Sequence, residues 1–521
     1  MKFSEIINDQ QLATEAIRRW ITIAVCIVIA IVSAFWIVDQ QFFMFALLGA
    51  VAAMVFMTVG MQRSVWLLLP IGWGLKGSIH ALPLPLTTRD VVVMMVTCSY
   101  IVQRVVGQST PRSRGVLGAL VLINCACFAS TFLYHPVGVH ALGAETMGGR
   151  PYFNVLIAWC AYWVIVHLPE SYKSVVRIPI WLMASVAFST LVSVIVYVVP
   201  SATPYVWFFY STVDISGYLG SLNPAGEEQQ IHRLLSLGTF GVMLIQVLSA
   251  YYPPRKIFSP AQWQFYLSVL AFTAILASGY RSGLAEALGC MALAAWFHRD
   301  WREIVLGGII GAAFLGFLVF GQGRLFDLPL PMQRTLGSLP GQWDETVREQ
   351  VKVSNARWDW WRQVVEEGTI KNWWIGDGVG VSQEDFTLIG AGRMGFEEAA
   401  DITGSFHSGP LTTIRCVGII GLIPYYALVI AAAVSSVKCV RRCYRTPLLP
   451  VAIFLAIRLV WEPLHFTFIY GSYADQLPED IFLIGLLTLV WRMSERQPPS
   501  SEPTVIARPL FWNNGTARVP R

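Results

Sequence analysis

Residues 303–321 read EIVLGGIIGAAFLGFLVFG, with one charge, Glu303, at the start. An uninterrupted apolar stretch of this length is long enough to cross the ~30 Å hydrocarbon core of a bilayer as a helix. At residue 322 the chain turns polar and stays so to about residue 409. An apolar span running into a long polar loop sets the fold class, and the same length criterion can be carried outward in both directions. It picks out runs near 20–38, 42–60, 65–86, 90–106, 115–134, 151–168, 178–199, 235–252, 263–279, 283–298, 303–321, 410–436, 446–465 and 480–493. The expectation is an all-α polytopic membrane protein with about 14 transmembrane helices (12–14) and one large, partly helical periplasmic loop. The third run is the weakest, because Pro70, Pro83 and Pro85 interrupt it and predict a kinked or re-entrant segment.

Composition agrees. Hydrophobic residues make up 55% of the chain and charged residues 13%, about half the charged share of a soluble domain. The net charge of +5 is spread over short loops, which excludes a nucleic-acid binder. Nearly all nine cysteines fall inside apolar runs and none lies in the long loop, which argues against a disulfide framework and a zinc site. No cleavable signal peptide is visible, since the first apolar run, from about Trp20 to Val38, is long enough to span.

Lys and Arg in short loops set the orientation. With the N-terminus inside (Arg18, Arg19), the inner loops carry Arg63, Arg112, Arg114, Lys173, Arg177, Arg255, Lys256, Arg299, Arg302, Lys438, Arg441, Arg442 and Arg445, and the tail adds Arg492 and Arg496. The smaller outer loops carry only Arg89, Arg150 and Arg233. This places both termini in the cytoplasm and the large loop outside. The domains follow: 1–321 an N-terminal bundle of about eleven helices, 322–409 the loop subdomain, 410–493 the C-terminal helices, and 494–521 a disordered tail.

The loop holds eight Lys/Arg against thirteen Asp/Glu, so it does not attract polyanions by bulk charge, and an anion site in it must rest on individually placed arginines. Ser354 to Gly368 predicts a short amphipathic helix, capped by Ser354 or Asn355 and ended by Gly368, with Arg357, Trp361 and Val364/Val365 on one face. Next comes Asn372-Trp373-Trp374-Ile375-Gly376-Asp377-Gly378-Val379-Gly380, whose glycines permit a tight turn; it reads as a plain turn or a weak phosphate loop. The six loop tryptophans suit interfacial anchoring and also offer flat faces to sugars. His407 stands before a Pro-started helix at the outer surface, where a neutral imidazole can take a proton from a sugar hydroxyl. Arg281, in the turn Ser278-Gly279-Tyr280-Arg281-Ser282-Gly283, either snorkels or binds an anion. Intramembrane charges are few: Lys76, Arg415, and Arg458 with Glu462, an i, i+4 pair.

In order and spacing these pieces resemble the O-antigen ligase and Wzy-type polymerase superfamily of bacterial membrane glycosyltransferases. The matching residues are Arg281 in its turn; Arg357 with Trp358 and Trp361; Gly376, Gly378 and Gly380; His407-Ser408; and Gly418-Ile419-Ile420-Gly421. The resemblance covers about residues 235–436 by motif and the rest by topology. The chain departs from the pattern in three ways: extra residues lie between Ser278 and Arg281, Ser408 follows His407 where Asn is frequent, and the spans exceed the usual number.

The resemblance implies an inverting, metal-independent transfer of a glycan from undecaprenyl pyrophosphate in the bacterial inner membrane, with no cofactor. His407 would be the catalytic base, and Arg281 and Arg357 would hold the pyrophosphate. Trp358, Trp361, Arg362, Gly378, Asp401 and Ser408 are candidate substrate contacts; Asp401, with Glu397 and Glu398, is the nearest acidic cluster and could alternatively serve as a base. The partners implied are the lipid-linked oligosaccharide donor, a glycan or lipid A-core acceptor, the bilayer, and a flippase and chain-length regulator. The missing His-Asn tilts the reading to a polymerase of exopolysaccharide or O-antigen repeats. The alternatives are a ligase acting on lipid A-core or protein and, from another class, a lipid-linked glycan flippase or transporter.

Overall fold

The computed structural model describes residues 49, 62–79, 86–105, 115–135, 149–168, 172–212, 234–355, 357–380, 404 and 406–495. The first two predicted spans, all but residue 49, and the C-terminal tail lie outside the described residues. Among the described residues the regular elements are helices, and strand-like pairing is limited to isolated bridges such as Ser78 with Thr87 and Ser211.

A 3₁₀ turn (Gln62–Leu67) runs into α1 (Leu68–Gly74). The helix stops at Gly74, so the span predicted over 65–86 is shorter than read: its tail leaves the helix to bridge Ser78 with Thr87 and Ser211. There follow α2 (Thr88–Val105), α3 (Val116–Tyr134), α4 (Arg150–Val166), α5 (Ile178–Val198), α6 (Leu235–Tyr251), α7 (Trp263–Ala277), α8 (Arg281–His298) and α9 (Trp301–Gly321). The long loop contributes α10 (Leu330–Leu336), α11 (Glu345–Asn355) and α12 (Arg357–Glu366). The C-terminal part is α13 (Gly409–Cys443), α14 (Leu449–Leu464, extended by a π-turn His465–Ile469) and α15 (Tyr473–Glu495).

Five of these helices are long and apolar enough to cross a membrane by length and composition: α3, α5, α9, α13, and α14 with its π-turn. Three apolar helices are shorter, and others fall short because they carry charge, as α15 does with Asp475, Glu479 and Asp480. The predicted count of about fourteen is therefore met only in part among the described residues.

Position in the bundle follows composition. α9 leaves Val305, Ile309, Ile310, Phe314 and Phe320 exposed, as a lipid-facing helix does. α15 is buried along its length by Ile481, Phe482, Ile484 and Leu487, and packs on α4 and α13. Phe482 stacks flat on Trp73 of α1, with ring centroids 4.2 Å apart. Of the eight described cysteines none is disulfide-bonded.

The two ends of the bundle differ. At one end the basic loops meet: the Arg255 amide donates to the Asp300 carboxylate, Arg299 lies over the Tyr444 ring, Arg442 pairs with Glu495, and Arg492 donates to the Val166 and Leu168 carbonyls. The long loop closes the other end. Two of the basic residues expected there, Arg89 and Arg150, are buried beside Asp90; Arg150 Nη2 reaches its Oδ2 at 2.5 Å, and Arg89 donates to Asn154 Oδ1 at 3.0 Å. These guanidiniums hold α2 against α4.

Candidate functional site

The loop docks on the helix ends in two places. Its first half sits over the α7–α8 turn. Thr335 Oγ1 donates to the Leu276 carbonyl at 2.9 Å, and Leu336, Trp343, Val347 and Val351 pack with Leu276 and Val319. Arg281, the first residue of α8, donates from Nε to the Arg334 carbonyl at 3.1 Å. It is therefore tied into the loop.

The second half sits on the head of α13. In α12, Trp360 and Val364 pack with Ile370, Phe406 and Ile414 in one apolar cluster. The face is narrower than predicted: Val364 is buried, while Val365, Trp358 and Arg362 are exposed. Gly368 ends the segment at φ +67°. Ser354 and Asn355, the expected caps, instead close α11. Trp361 Nε1 donates to the Phe406 carbonyl at 2.8 Å, one residue before His407. Arg357 opens α12; its side chain, like Asp401, Glu397 and Glu398, lies outside the described residues.

His407 has φ +52°, a left-handed conformation that costs a non-glycine residue free energy and needs surrounding structure to hold it. The Trp361 bond fixes the peptide before it. Behind it, Gly409 abuts the π-turn so closely that a Cβ there would lie 2.3 Å from the Phe466 carbonyl oxygen. The His407 ring lies 5.2 Å from that of Tyr470, centroid to centroid. Ser408 is buried at the N-cap of α13, and its side chain makes no capping bond.

The glycine-rich segment has a job in the fold that its sequence did not disclose. α13 is broken at Gly418, with φ 67° and ψ −175°, and the segment is seated in the break. The Ile419 and Ile420 amides donate to the Trp373 and Trp374 carbonyls at 2.8 and 3.1 Å, and the Asp377 amide donates to the Arg415 carbonyl at 2.7 Å. Asp377 accepts from the Lys371 and Asn372 amides and pairs with Arg415 Nε at 3.5 Å. Gly378 packs against His135 beyond the end of α3. Backbone groups that a phosphate loop would offer at Gly376 and Asp377 are thus already bonded to protein, the former to the Asn372 carbonyl.

Arg281 and His407 lie at the same end of the bundle. Glu286, five residues into α8, is within electrostatic reach of His465 in the π-turn that abuts Gly409. Sequence reasoning missed Arg334. It is 9% exposed, and its Nη1 is buried with no hydrogen-bond partner among the described residues. A guanidinium so placed is costly unless an anion meets it. Nothing in the local sequence marks it, since it becomes notable only through its burial beside Arg281. The intramembrane charges are also richer than expected. Lys76 pairs with Glu479, and Arg415 with Asp377, but Arg458 and Glu462 do not form the predicted ion pair.

Fold and site together define a many-helix membrane protein whose polar loop is clamped over the helix ends at one pole, gathering arginines and a histidine there. Residues 266–426 match the O-antigen ligase family, and this match supports the resemblance of that stretch to the O-antigen ligase and Wzy-type polymerase superfamily. No curated protein sequence matches the chain. The matched stretch begins in α7 and ends within α13, so it holds Arg281, the whole loop and His407.

Proposed function

We propose that the chain transfers a glycan from undecaprenyl pyrophosphate at the periplasmic face of the bacterial inner membrane, joining lipid-linked repeats into a surface polysaccharide. The observation that carries this reading is the Trp361–Phe406 bond, which ties the helix opened by Arg357 to the turn holding His407. His407 takes the proton of the acceptor hydroxyl. The hydroxyl oxygen attacks the anomeric carbon from the face opposite the leaving group, the bond to pyrophosphate breaks, and the configuration inverts. Arg281, Arg357 and Arg334 hold the pyrophosphate, whose negative charge grows as the bond breaks. The arginine-rich pole faces the periplasm because the basic loops collect at the opposite pole.

A second reading, ligation of a finished chain to lipid A-core, is favoured by the description of the matched family, O-antigen ligase. One gel separates the two. After deletion of the gene, accumulated single lipid-linked repeats mark a polymerase and accumulated long lipid-linked chains mark a ligase. Unchanged lipid-linked and surface glycans would remove both.

A further inference from the structure

The site above leaves a second group of polar side chains unused. On α14, Arg458, Trp461, Glu462 and His465 follow an i, i+3, i+4, i+7 spacing, which lines them up along one face of the helix. That face meets α8, where the ring of Trp461 lies against Gly289 so closely that a Cβ there would sit 2.3 Å away. One turn before Gly289, Glu286 accepts from Gln246 of α6 at 2.9 Å. Glu286, Arg458 and Glu462 are all within electrostatic reach of Cys290 between these helices.

These groups are not engaged with one another. Among the described residues, Trp461 Nε1 and Glu462 Oε1 are buried without a hydrogen-bond partner, and Arg458 has neither an ion pair nor a hydrogen bond, its guanidinium lying over the Phe454 ring at 5.8 Å. Orphaned donors and acceptors of this kind inside a membrane bundle are costly, and they mark a place where a polar molecule completes the bonding. The neighbouring acids on α15 have partners: Glu479 pairs with Lys76 and accepts from Trp73, and Asp480 accepts from the Tyr425 hydroxyl.

The chemistry of the unmet groups selects the ligand. Arg458 and Trp461 need acceptors, and Glu462 needs a donor. A phosphate supplies only acceptors and would face Glu286 and Glu462. A cation would face Arg458, and no set of His, Cys, Asp and Glu among the described residues converges as metal ligands. A neutral hydroxyl both donates and accepts. We infer that the α8–α14 interface around Arg458, Trp461 and Glu462 is a saccharide-binding subsite of the transferase. Glu462 lies three residues, about one turn or ~5 Å, before His465 and the π-turn that packs under the His407 segment, so a sugar held there lies next to the reacting end. The inference rests on the glycan-transfer reading and names where one of its glycans binds.

The test uses the full-length protein in lipid nanodiscs. The probe is the oligosaccharide released by mild acid from the cell's own lipid-linked pool, followed by saturation-transfer NMR. Trp461→Phe, which keeps an aromatic ring but removes the indole N–H, and Glu462→Gln each weaken binding by about tenfold, the loss of roughly one hydrogen bond. Undecaprenyl pyrophosphate without sugar binds wild type and both variants alike. Competition with the intact lipid-linked glycan identifies the source: displacement of the free glycan places the donor's sugar at this interface, and its retention places the acceptor there. Unchanged glycan affinity in both folded variants overturns the inference, as does an equal loss of bare-carrier binding. If a variant does not fold, an aryl-diazirine derivative of the same oligosaccharide is cross-linked to the wild-type protein. Adducts on the α8 and α14 peptides support the subsite, and adducts confined to other regions overturn it. These are binding readouts, so they stand apart from the transfer assay on His407→Ala, which tests the reaction itself.

Discussion

The carbonyl oxygen of Trp374 lies 2.0 Å from the point where a Cβ on residue 418 would stand, so the loop occupies the space left by the missing side chain of Gly418. The helix is broken at φ 67° and ψ −175°, and the loop's carbonyls take over the amides that the break releases. Loop and span are thereby one structural unit.

Gly418→Ala puts a side chain into an occupied space and into a conformation that only glycine adopts readily. The strain alone is about 1–3 kcal/mol, and the steric overlap adds to it. The variant is expected to lose thermal stability in detergent, with the loop cleaved by protease at lower concentration than in wild type. A melting curve and digestion pattern equal to wild type would show that the loop is not seated in the break.

Asp377 is the polar anchor of the same plug, accepting two backbone amides and pairing with Arg415. Asp377→Ala leaves those donors and a half-buried guanidinium unmet, a loss of about 1–3 kcal/mol. Asp377→Asn, which keeps one acceptor oxygen, is expected to fall between the two in a thermal-shift series. Equal melting of all three proteins would contradict this assignment.

Trp361 positions the His407 turn through the carbonyl of Phe406. Trp361→Phe keeps an aromatic ring and removes the indole N–H donor, so stability changes by about 1 kcal/mol. With His407 in the proposed role of base, loss of the bond that holds its turn is expected to lower turnover about tenfold with the KM for the lipid-linked donor within about twofold. A rise in KM at unchanged turnover would make Trp361 a substrate contact and not a positioning residue.

The apolar runs over 178–199, 235–252 and 303–321 emerge as α5, α6 and α9 within one or two residues, because length and hydropathy are local properties. The amphipathic segment after Asn355 emerges as α12 for the same reason. Other features depend on tertiary partners. The glycines at 376–380 signalled a turn, but only the docked loop shows that the turn fills a broken helix. Arg458 and Glu462 stand at pairing distance along the sequence, yet they form no ion pair, and Trp461 beside them packs on Gly289 of α8. Arg334 carries no motif and gains its interest from burial beside Arg281. Of the candidate site, the order of Arg281, Arg357 and His407 was legible in the chain; the bonds that hold the two halves of the loop to the helix ends were not.

The most direct measurement is glycan transfer by purified His407→Ala protein in proteoliposomes containing lipid-linked repeat units. Loss of the proposed general base is expected to lower the transfer rate by about 10²–10⁴-fold while the lipid-linked donor still binds, the arginines assigned to it being unchanged. Transfer at a rate close to wild type would contradict the account.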